Sequence, residues 1–427
     1  MKFSVLTFGC RVNQADSLAL ENDLRARGAE PVPSGHADVI LVNSCSVTCA
    51  ADQGTRQAIR RAARHNPDAR VIVTGCYATR SPEEVAGLPG VVRVVPNREK
   101  DRLAETLIRE HAPEEWTSRE RYSPLGDGPC GLHLSPGASG RTAYFLRVQT
   151  GCDERCSYCI IPSTRGPSTS RPLDELITAI DHACAAGYRE ITLTGVHLGA
   201  YGRDLSPRRS LCDLLRRVGP MRHDVLFRLG SLEPMDCTPE VLDTIAAAPR
   251  FAHSFHLPLQ HAATRVLQAM RRPYTLDYYA TLVDGIRTRL PDAAIGSDIM
   301  VGFPGESQKD FNALHSYLLA SPLTQLHVFP YSDRPGTEAS RMPGRIDGVT
   351  VRERARLIRE AGGVLSKRFV DTQLGQVHRA LVIDDGTCAV TRNGLKVTLS
   401  ARQHRNEWVA VRLHRVDETL AGDVVYG

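Results

Sequence analysis

No apolar run in the 427-residue chain approaches the roughly 18 residues that a membrane-spanning helix needs, so helical membrane spans are not expected. The opening stretch MKFSVLTFGC is too short and too lightly charged for a secretory leader, and the expected location is the cytoplasm. A strong excess of one charge is also missing. The formal net charge of +5 is mildly basic, which permits a nucleic-acid partner without demanding one. The twelve cysteines lack the even scatter of a disulfide framework and fall instead into short motif spacings, which suits metal ligation in a reducing compartment. With 42% hydrophobic and 24% charged residues, the composition is that of an ordinary globular protein with room for two or three domains.

Among those cysteines the run Gly151-Cys152-Asp-Glu-Arg-Cys156-Ser-Tyr-Cys159 carries the most chemistry. Three thiolates at Cys-x3-Cys-x2-Cys spacing hold three irons of a four-iron cluster and leave the fourth open to a substrate, whereas a cluster that only carries electrons usually has all its irons on cysteine. Zinc with a distant fourth ligand is the competing use of the same spacing.

Residues 1 to about 110 alternate strand and helix patterns. Phe3 to Phe8, Val39 to Asn43, Val71 to Thr74 and Val91 to Val95 are short apolar runs rich in β-branched residues, as in buried parallel strands, with helical stretches at Asp16 to Arg27 and Ala51 to His65. The pattern predicts a doubly wound α/β sheet. Cys10, Cys45 and Cys76 each fall just past the carboxyl end of a different strand, the edge where open parallel sheets bind ligands. Periodicity alone leaves open whether they converge as ligands or pack as buried thiols. Cys49, one helical turn after Cys45, is read as a helix residue packed inside.

A Pro-, Gly- and Ser-rich stretch from Pro113 to Arg141 reads as a linker, with Cys130 an incidental thiol. Beyond it, Tyr144 to Gln149, Glu190 to Thr194, Val225 to Leu229, Ser254 to Leu257, Ala294 to Met300 and Leu326 to Tyr331 read as strands. Helical stretches such as Leu173 to Ala186 and Leu211 to Val218 separate them, and such units close toward a partial barrel. Its site would lie at the carboxyl ends of the strands. The candidates there are Gly195, where the backbone can approach a ligand or simply turn, Ser231 and Glu233, suited to a ribose or an ammonium group, Gln260, and Asp298 ahead of Gly302-Phe-Pro-Gly-Glu306. His253, His256 and His261 are weighed as a zinc set, the first two on one face of a strand, but no carboxylate or cysteine nearby completes it. Cys184, Cys212, Cys237 and Cys388 stand singly and read as core or surface thiols. From Val349 to Arg368 a basic helix reads as a solvated face. After about Thr372 four short strands predict a small all-β barrel, on which Arg379, Arg392, Lys396, Arg402 and Arg405 could neutralise phosphates.

The Cys152 to Cys159 run, with Tyr158 before its last cysteine, resembles the signature of radical S-adenosylmethionine (SAM) enzymes. Thr7-Phe-Gly-Cys10-Arg-Val-Asn-Gln14, Val42-Asn-Ser-Cys45-Ser-Val-Thr48 and Val73-Thr-Gly-Cys76-Tyr-Ala78 resemble the three cluster-binding stretches of the methylthiotransferases, and the likeness runs through nearly the whole chain. It implies an N-terminal domain over 1–112, a linker over 113–140, a partial (βα)6 radical SAM barrel over 141–371 and a TRAM-like RNA-binding barrel over 372–427. It also implies two [4Fe-4S] clusters, an auxiliary one on Cys10, Cys45 and Cys76 and one on Cys152, Cys156 and Cys159 that binds SAM, with Gly195, Ser231, Glu233, Gln260 and Asp298 as SAM contacts. The implied partners are the anticodon loop of tRNA, a reductant such as flavodoxin or ferredoxin, and a sulfur donor, with no membrane. Phe329-Pro-Tyr-Ser-Asp-Arg-Pro-Gly-Thr337 and the start Gly-Cys-Arg-Val-Asn-Gln resemble the branch that methylthiolates N6-threonylcarbamoyladenosine at position 37 of tRNA. The alternatives are the branches acting on isopentenyladenosine or on a ribosomal-protein aspartate, and, in a different class, a non-catalytic iron-sulfur protein that binds RNA.

Overall fold

The computed structural model describes residues 1–111, 136 and 142–426, so the linker 113–140, apart from Pro136, and Cys130 lie outside the described residues. The chain divides into two compact units. The first holds residues 1–111 with Thr150–Glu154 and Cys159–Pro167; the second holds 136, 142–149, Arg155–Tyr158 and 168–426.

The first unit is built on five parallel strands, β1 (Lys2–Thr7), β2 (Glu30–Pro31), β3 (Val39–Ser44), β4 (Arg70–Gly75) and β5 (Val91–Val95), in the order β2-β1-β3-β4-β5. Successive side chains of a strand point to opposite faces. Ile40 and Val42 therefore enter one apolar layer with Ile59, Val71 and Val73, while Leu41 joins Phe3, Leu24, Ile72 and Leu107 in the other. Burial on both faces is why Val39 to Val42 of β3 read as an uninterrupted apolar run. Helices α1 (Arg11–Ala26), α2 (Cys49–His65) and α3 (Cys76–Arg80) follow β1, β3 and β4. Thr48 caps α2 by accepting from the Ala51 amide. The strand order reverses between β1 and β3, the switch point outside which such sheets form ligand crevices. Of these strands only β2 was not foreseen, because two residues carry no period.

In the second unit the strands Tyr144–Arg147, Glu190–Thr194 and Leu226–Leu229 form one parallel sheet, and Ser254–His256, Ala294–Val301 and Gln325–Pro330 another. Isolated parallel bridges Phe227↔Phe251 and Ser231↔His256 join them, so six strands run side by side in chain order. One continuous core beneath the intervening helices includes Leu146, Ile191, Phe227, Phe255, Ile295 and Ile299. The long helix Gly348–Gln373 contributes Ala355, Ile358 and Leu365 to it. Its basic run is not wholly solvated: Arg354 is buried in a 2.9 Å ion pair with Glu306, whose carboxylate also accepts from the Phe303 amide and so ties down its own loop. Five strands then close a small barrel, of which Thr419–Val424 was missed because polar Thr419 and Asp423 break its apolar period. Among the described residues no helix is long and apolar enough to cross a membrane.

Gly75 holds the first unit at its tightest point. It sits at φ +99°, and a Cβ there would lie 2.2 Å from the Ser44 carbonyl oxygen, a backbone atom that cannot step aside. Gly75→Ala should therefore destabilise this unit by about 3 kcal/mol or more. Gly54→Ala, inside α2 with nothing within 4 Å of the new methyl, should stabilise it by roughly 0.5–1 kcal/mol. Thermal melts of the two variants check the opposite signs.

Candidate functional site

Cys10 stands between β1 and α1, Cys45 directly follows β3, and Cys76 opens α3 directly after β4. Two glycines draw these strand ends together. Gly9, at φ +87°, faces Cys45 so closely that a Cβ would lie 2.3 Å from the Cys45 Sγ, and Gly75 backs onto Ser44. Cys45 and Cys76 are buried, while Cys10 is exposed. Burial pushes the Cys45 thiol up to about 11, helped by the nearby charges of Cys10, Cys76 and Asp52 and opposed by a hydrogen bond from the Val47 amide. Three sulfurs that repel one another as thiolates are the donor set a cationic iron-sulfur core relieves, and they leave one iron without a cysteine. The residues thus fit such a cluster. Cys49 is in a helix as expected but is exposed rather than packed inside, because the first position of α2 lies outside the apolar stripe.

Sequence reasoning missed a buried polar cluster beside these cysteines. Lys100 Nζ donates to Asp16 Oδ2 and Asn43 Oδ1, each at 3.0 Å. Arg165 Nη2 donates to the same Asp16 oxygen at 3.0 Å and to Asn13 Oδ1. The side chains of Lys100, Arg165 and Asp16 are 3%, 2% and 1% exposed. Asn13 Nδ2 in turn bonds the Phe8 and Ser44 carbonyls, and Asn97 Nδ2 lies 3.6 Å from Cys76 Sγ. Lys100 escaped notice because Asn97-Arg-Glu-Lys100-Asp-Arg reads as a solvated charge run.

The second cysteine motif folds back on itself within the first unit: the Cys152 amide donates to the Gly166 carbonyl at 3.1 Å, and Cys159 Sγ accepts from the Ile161 amide at 3.5 Å. Gly151 is obligatory there, with φ +71° and a would-be Cβ 1.8 Å from the Pro167 carbonyl oxygen. Within the second unit Arg272 Nη1 donates to Cys156 Sγ at 3.4 Å. The same guanidinium is bidentate to Glu233 and donates to the Tyr274 hydroxyl at 3.0 Å. Glu233 is thus committed to a buried cation rather than lying free for a ligand, and Arg272 is a site residue the sequence did not announce. Tyr158 packs against Val266, Met270, Phe303 and Ala339.

Of the other candidates, Gly195 is buried and its Cβ position is filled by Gln149, whose Oε1 lies 2.9 Å from it and accepts from the His197 amide. Ser231 is exposed at the end of its strand. Gln260 adopts φ +66°, held by hydrogen bonds of its amide to the Asp298 carbonyl and of its carbonyl to the Met300 amide, a conformation that non-glycine residues keep mostly at functional positions. Asp298 accepts from His256 Nε2 at 3.0 Å and from His327 Nδ1 at 3.5 Å. Burial works to raise this carboxyl, but the two imidazole contacts outweigh it and hold it at about 2. The three-histidine reading is corrected in two ways. His253 and His256, three residues apart, point to opposite sides of the strand, as its alternation requires, and bind Asp292 and Asp298 respectively. A carboxylate does stand beside His256, joined by His327, and the three donor atoms lie within 4.8 Å of one another. Cys212 and Cys237 are core thiols, as expected.

The basic residues of the terminal barrel are engaged within the chain. Arg379 lies over the Trp408 ring and pairs with Asp224, Arg392 donates to the Phe251 carbonyl, Lys396 pairs with Asp384, and Arg402 and Arg405 bond the Asp385 carbonyl and the Thr142 hydroxyl.

The Arg272–Glu233 pair is open to test. Glu233→Gln would leave a guanidinium that is 3% exposed without a counter-charge, and should cost roughly 3 kcal/mol, a magnitude typical of breaking one side of a buried pair. Urea unfolding of the second unit should register this loss, and adding Arg272→Met should recover part of it.

Two family profiles match the chain: "Uncharacterized protein family UPF0004" over residues 2–96 and "Radical SAM superfamily" over residues 146–318. The threonylcarbamoyladenosine tRNA methylthiotransferase MtaB of Aquifex aeolicus is 35% identical over 90% of this chain and 93% of its own, and the Bacillus subtilis protein of that name is 34% identical over 87% and 82%. The ribosomal protein uS12 methylthiotransferase RimO of a Roseiflexus species is 33% identical over 90% of this chain and 86% of its own. In fold, the radical SAM methyltransferase TsrM of Kitasatospora setae aligns with a TM-score of 0.56 at 14% identity, covering 79% of this chain and 76% of that one. Likeness at 31–35% identity over most of the chain, together with the two family matches, leaves one conclusion: the chain belongs to the radical SAM methylthiotransferase family, in its threonylcarbamoyladenosine branch.

Proposed function

We propose that this protein replaces the hydrogen on C2 of N6-threonylcarbamoyladenosine, at position 37 in the anticodon loop of tRNA, with a methylthio group. That C–H bond has no acidic proton for a general base to remove, so radical chemistry is the reasonable route. When bound, the two [4Fe-4S] clusters and SAM supply the radical, the sulfur and the methyl group. The observation that carries the reading is the pairing of two cysteine triads in one chain, one at the carboxyl edge of β1, β3 and β4 and one following the first barrel strand.

Each residue then has a task. Cys10, Cys45 and Cys76 hold the auxiliary cluster, and Cys152, Cys156 and Cys159 the cluster that binds SAM. Arg272 donates to Cys156 and is itself fixed by Glu233. Asp298, kept ionised by His256 and His327, offers an acceptor for the hydroxyl or ammonium groups of SAM, and Gln260, in its constrained backbone, places a side-chain amide at the end of the fourth strand. Gly195 and Ser231 line the ends of the second and third strands. A low-potential flavodoxin or ferredoxin and a sulfur donor complete the reaction, in the cytoplasm.

Nucleoside mass spectrometry of tRNA from cells lacking the gene tests this. The expected result is loss of the 2-methylthio form with accumulation of N6-threonylcarbamoyladenosine, restored by the wild-type gene. An unchanged tRNA profile, with the modification missing from an aspartate of a ribosomal protein instead, would contradict it.

A further inference from the structure

Lys100 and Arg165 form a buried cationic pair that faces one carboxylate, Asp16, in common. Among the described residues the cluster thus sets two cations against one carboxylate, and burial works against the charged form of Lys100. The nearby Arg80–Asp52 pair, by contrast, is matched one to one. An uncompensated charge at 2–3% exposure is costly to keep out of water, and the folded chain holds it in place with neutral acceptors, Asn43 Oδ1 for Lys100 and Asn13 Oδ1 for Arg165. The placement of those acceptors is informative. Asn13 lies three residues after Cys10, Asn43 two residues before Cys45, and Asn97, at the start of the turn that carries Lys100, hydrogen-bonds to Cys76 Sγ. Asn97 ties Cys76 to the turn that carries Lys100, and negative charge on Cys76 favours the charged form of both cations.

A [4Fe-4S]2+ core on three thiolates carries a net charge of about −1, which becomes about −2 on one-electron reduction. We infer that Lys100 and Arg165 are the counter-charge for that anion: positioning residues that raise the reduction potential of the auxiliary cluster and make its loading favourable to the fold. This rests on the reading that Cys10, Cys45 and Cys76 hold a cluster. Charge near a cluster and its hydrogen bonds are among the levers by which a protein sets its potential.

The test uses the full chain with Cys152, Cys156 and Cys159 replaced by alanine, so that only the first triad remains to bind iron. After anaerobic reconstitution, a redox titration followed by electron paramagnetic resonance compares this parent with its Lys100→Met and Lys100→Arg derivatives. The expected result is equal iron content, with the Lys100→Met cluster harder to reduce: about a tenfold lower ratio of reduced to oxidised cluster at a fixed potential, or about 59 mV for a one-electron couple. Lys100→Arg should restore the parent value. Without iron the order of stability should invert, Lys100→Met melting above the parent because an uncompensated charge has gone. If Lys100→Met does not fold, Lys100→Gln keeps a donor toward Asp16 and Asn43 and is read in the same way. Full iron content with an unmoved potential would overturn the counter-charge role and leave the cluster standing. A parent that binds no iron would overturn the ligand assignment itself.

Discussion

The closeness of three strand ends governs the first unit. β1, β3 and β4 end side by side at the edge where the sheet reverses its order, and the gaps between them are narrower than a methyl group allows. Gly9 and Gly75 make the approach possible, since each adopts a left-handed backbone and each faces atoms of the neighbouring segment within 2.3 Å of where a Cβ would be. Cys10, Cys45 and Cys76 follow from that geometry, as Cys45 and Cys76 are the first residues past such an end and Cys10 the third. Burial, with the nearby charges of Cys10, Cys76 and Asp52, pushes the Cys45 thiol up to about 11, and a cationic metal core would favour its deprotonated form.

The second unit handles charge differently. Arg272 is as buried as Lys100 and Arg165, yet its neighbour Glu233 matches it and the pair as a whole is neutral, so the guanidinium can donate to Cys156 without excess charge. Asp298 shows the reverse arrangement, a carboxylate kept ionised between two imidazoles on flanking strands. Along its own strand it alternates with apolar residues such as Ile295 and Ile299, which join the core. One strand thus carries core residues on one face and the Asp298 ion pairs on the other.

The six central strands were legible within a residue or two, most clearly Glu190–Thr194 and Leu226–Leu229, because strands buried on both faces read as apolar runs whatever their partners. The position of the first cysteine triad past its strands was legible for the same reason. The buried charge networks escaped because they join residues far apart in sequence. Lys100 lies 84 residues from Asp16, and Arg165 lies 149 from it, so each reads locally as one more surface charge. Glu233 was read as free because nothing near it announces Arg272. The placement of His253 and His256 on one face failed on strand alternation, and His327, which shares Asp298 with His256, lies two strands further along the sheet. Full-length relatives at 30–35% identity then fix the family, which pattern alone had left among alternatives.

The central claim is a division of labour between the two cysteine triads, and reconstituted protein with SAM, a reductant and substrate tRNA tests it most directly. Cys10, Cys45 and Cys76 replaced together by alanine should leave formation of 5′-deoxyadenosine intact while abolishing the methylthio product, whereas replacing Cys152, Cys156 and Cys159 should abolish both. Methylthio product from the first variant, or 5′-deoxyadenosine from the second, would contradict the account.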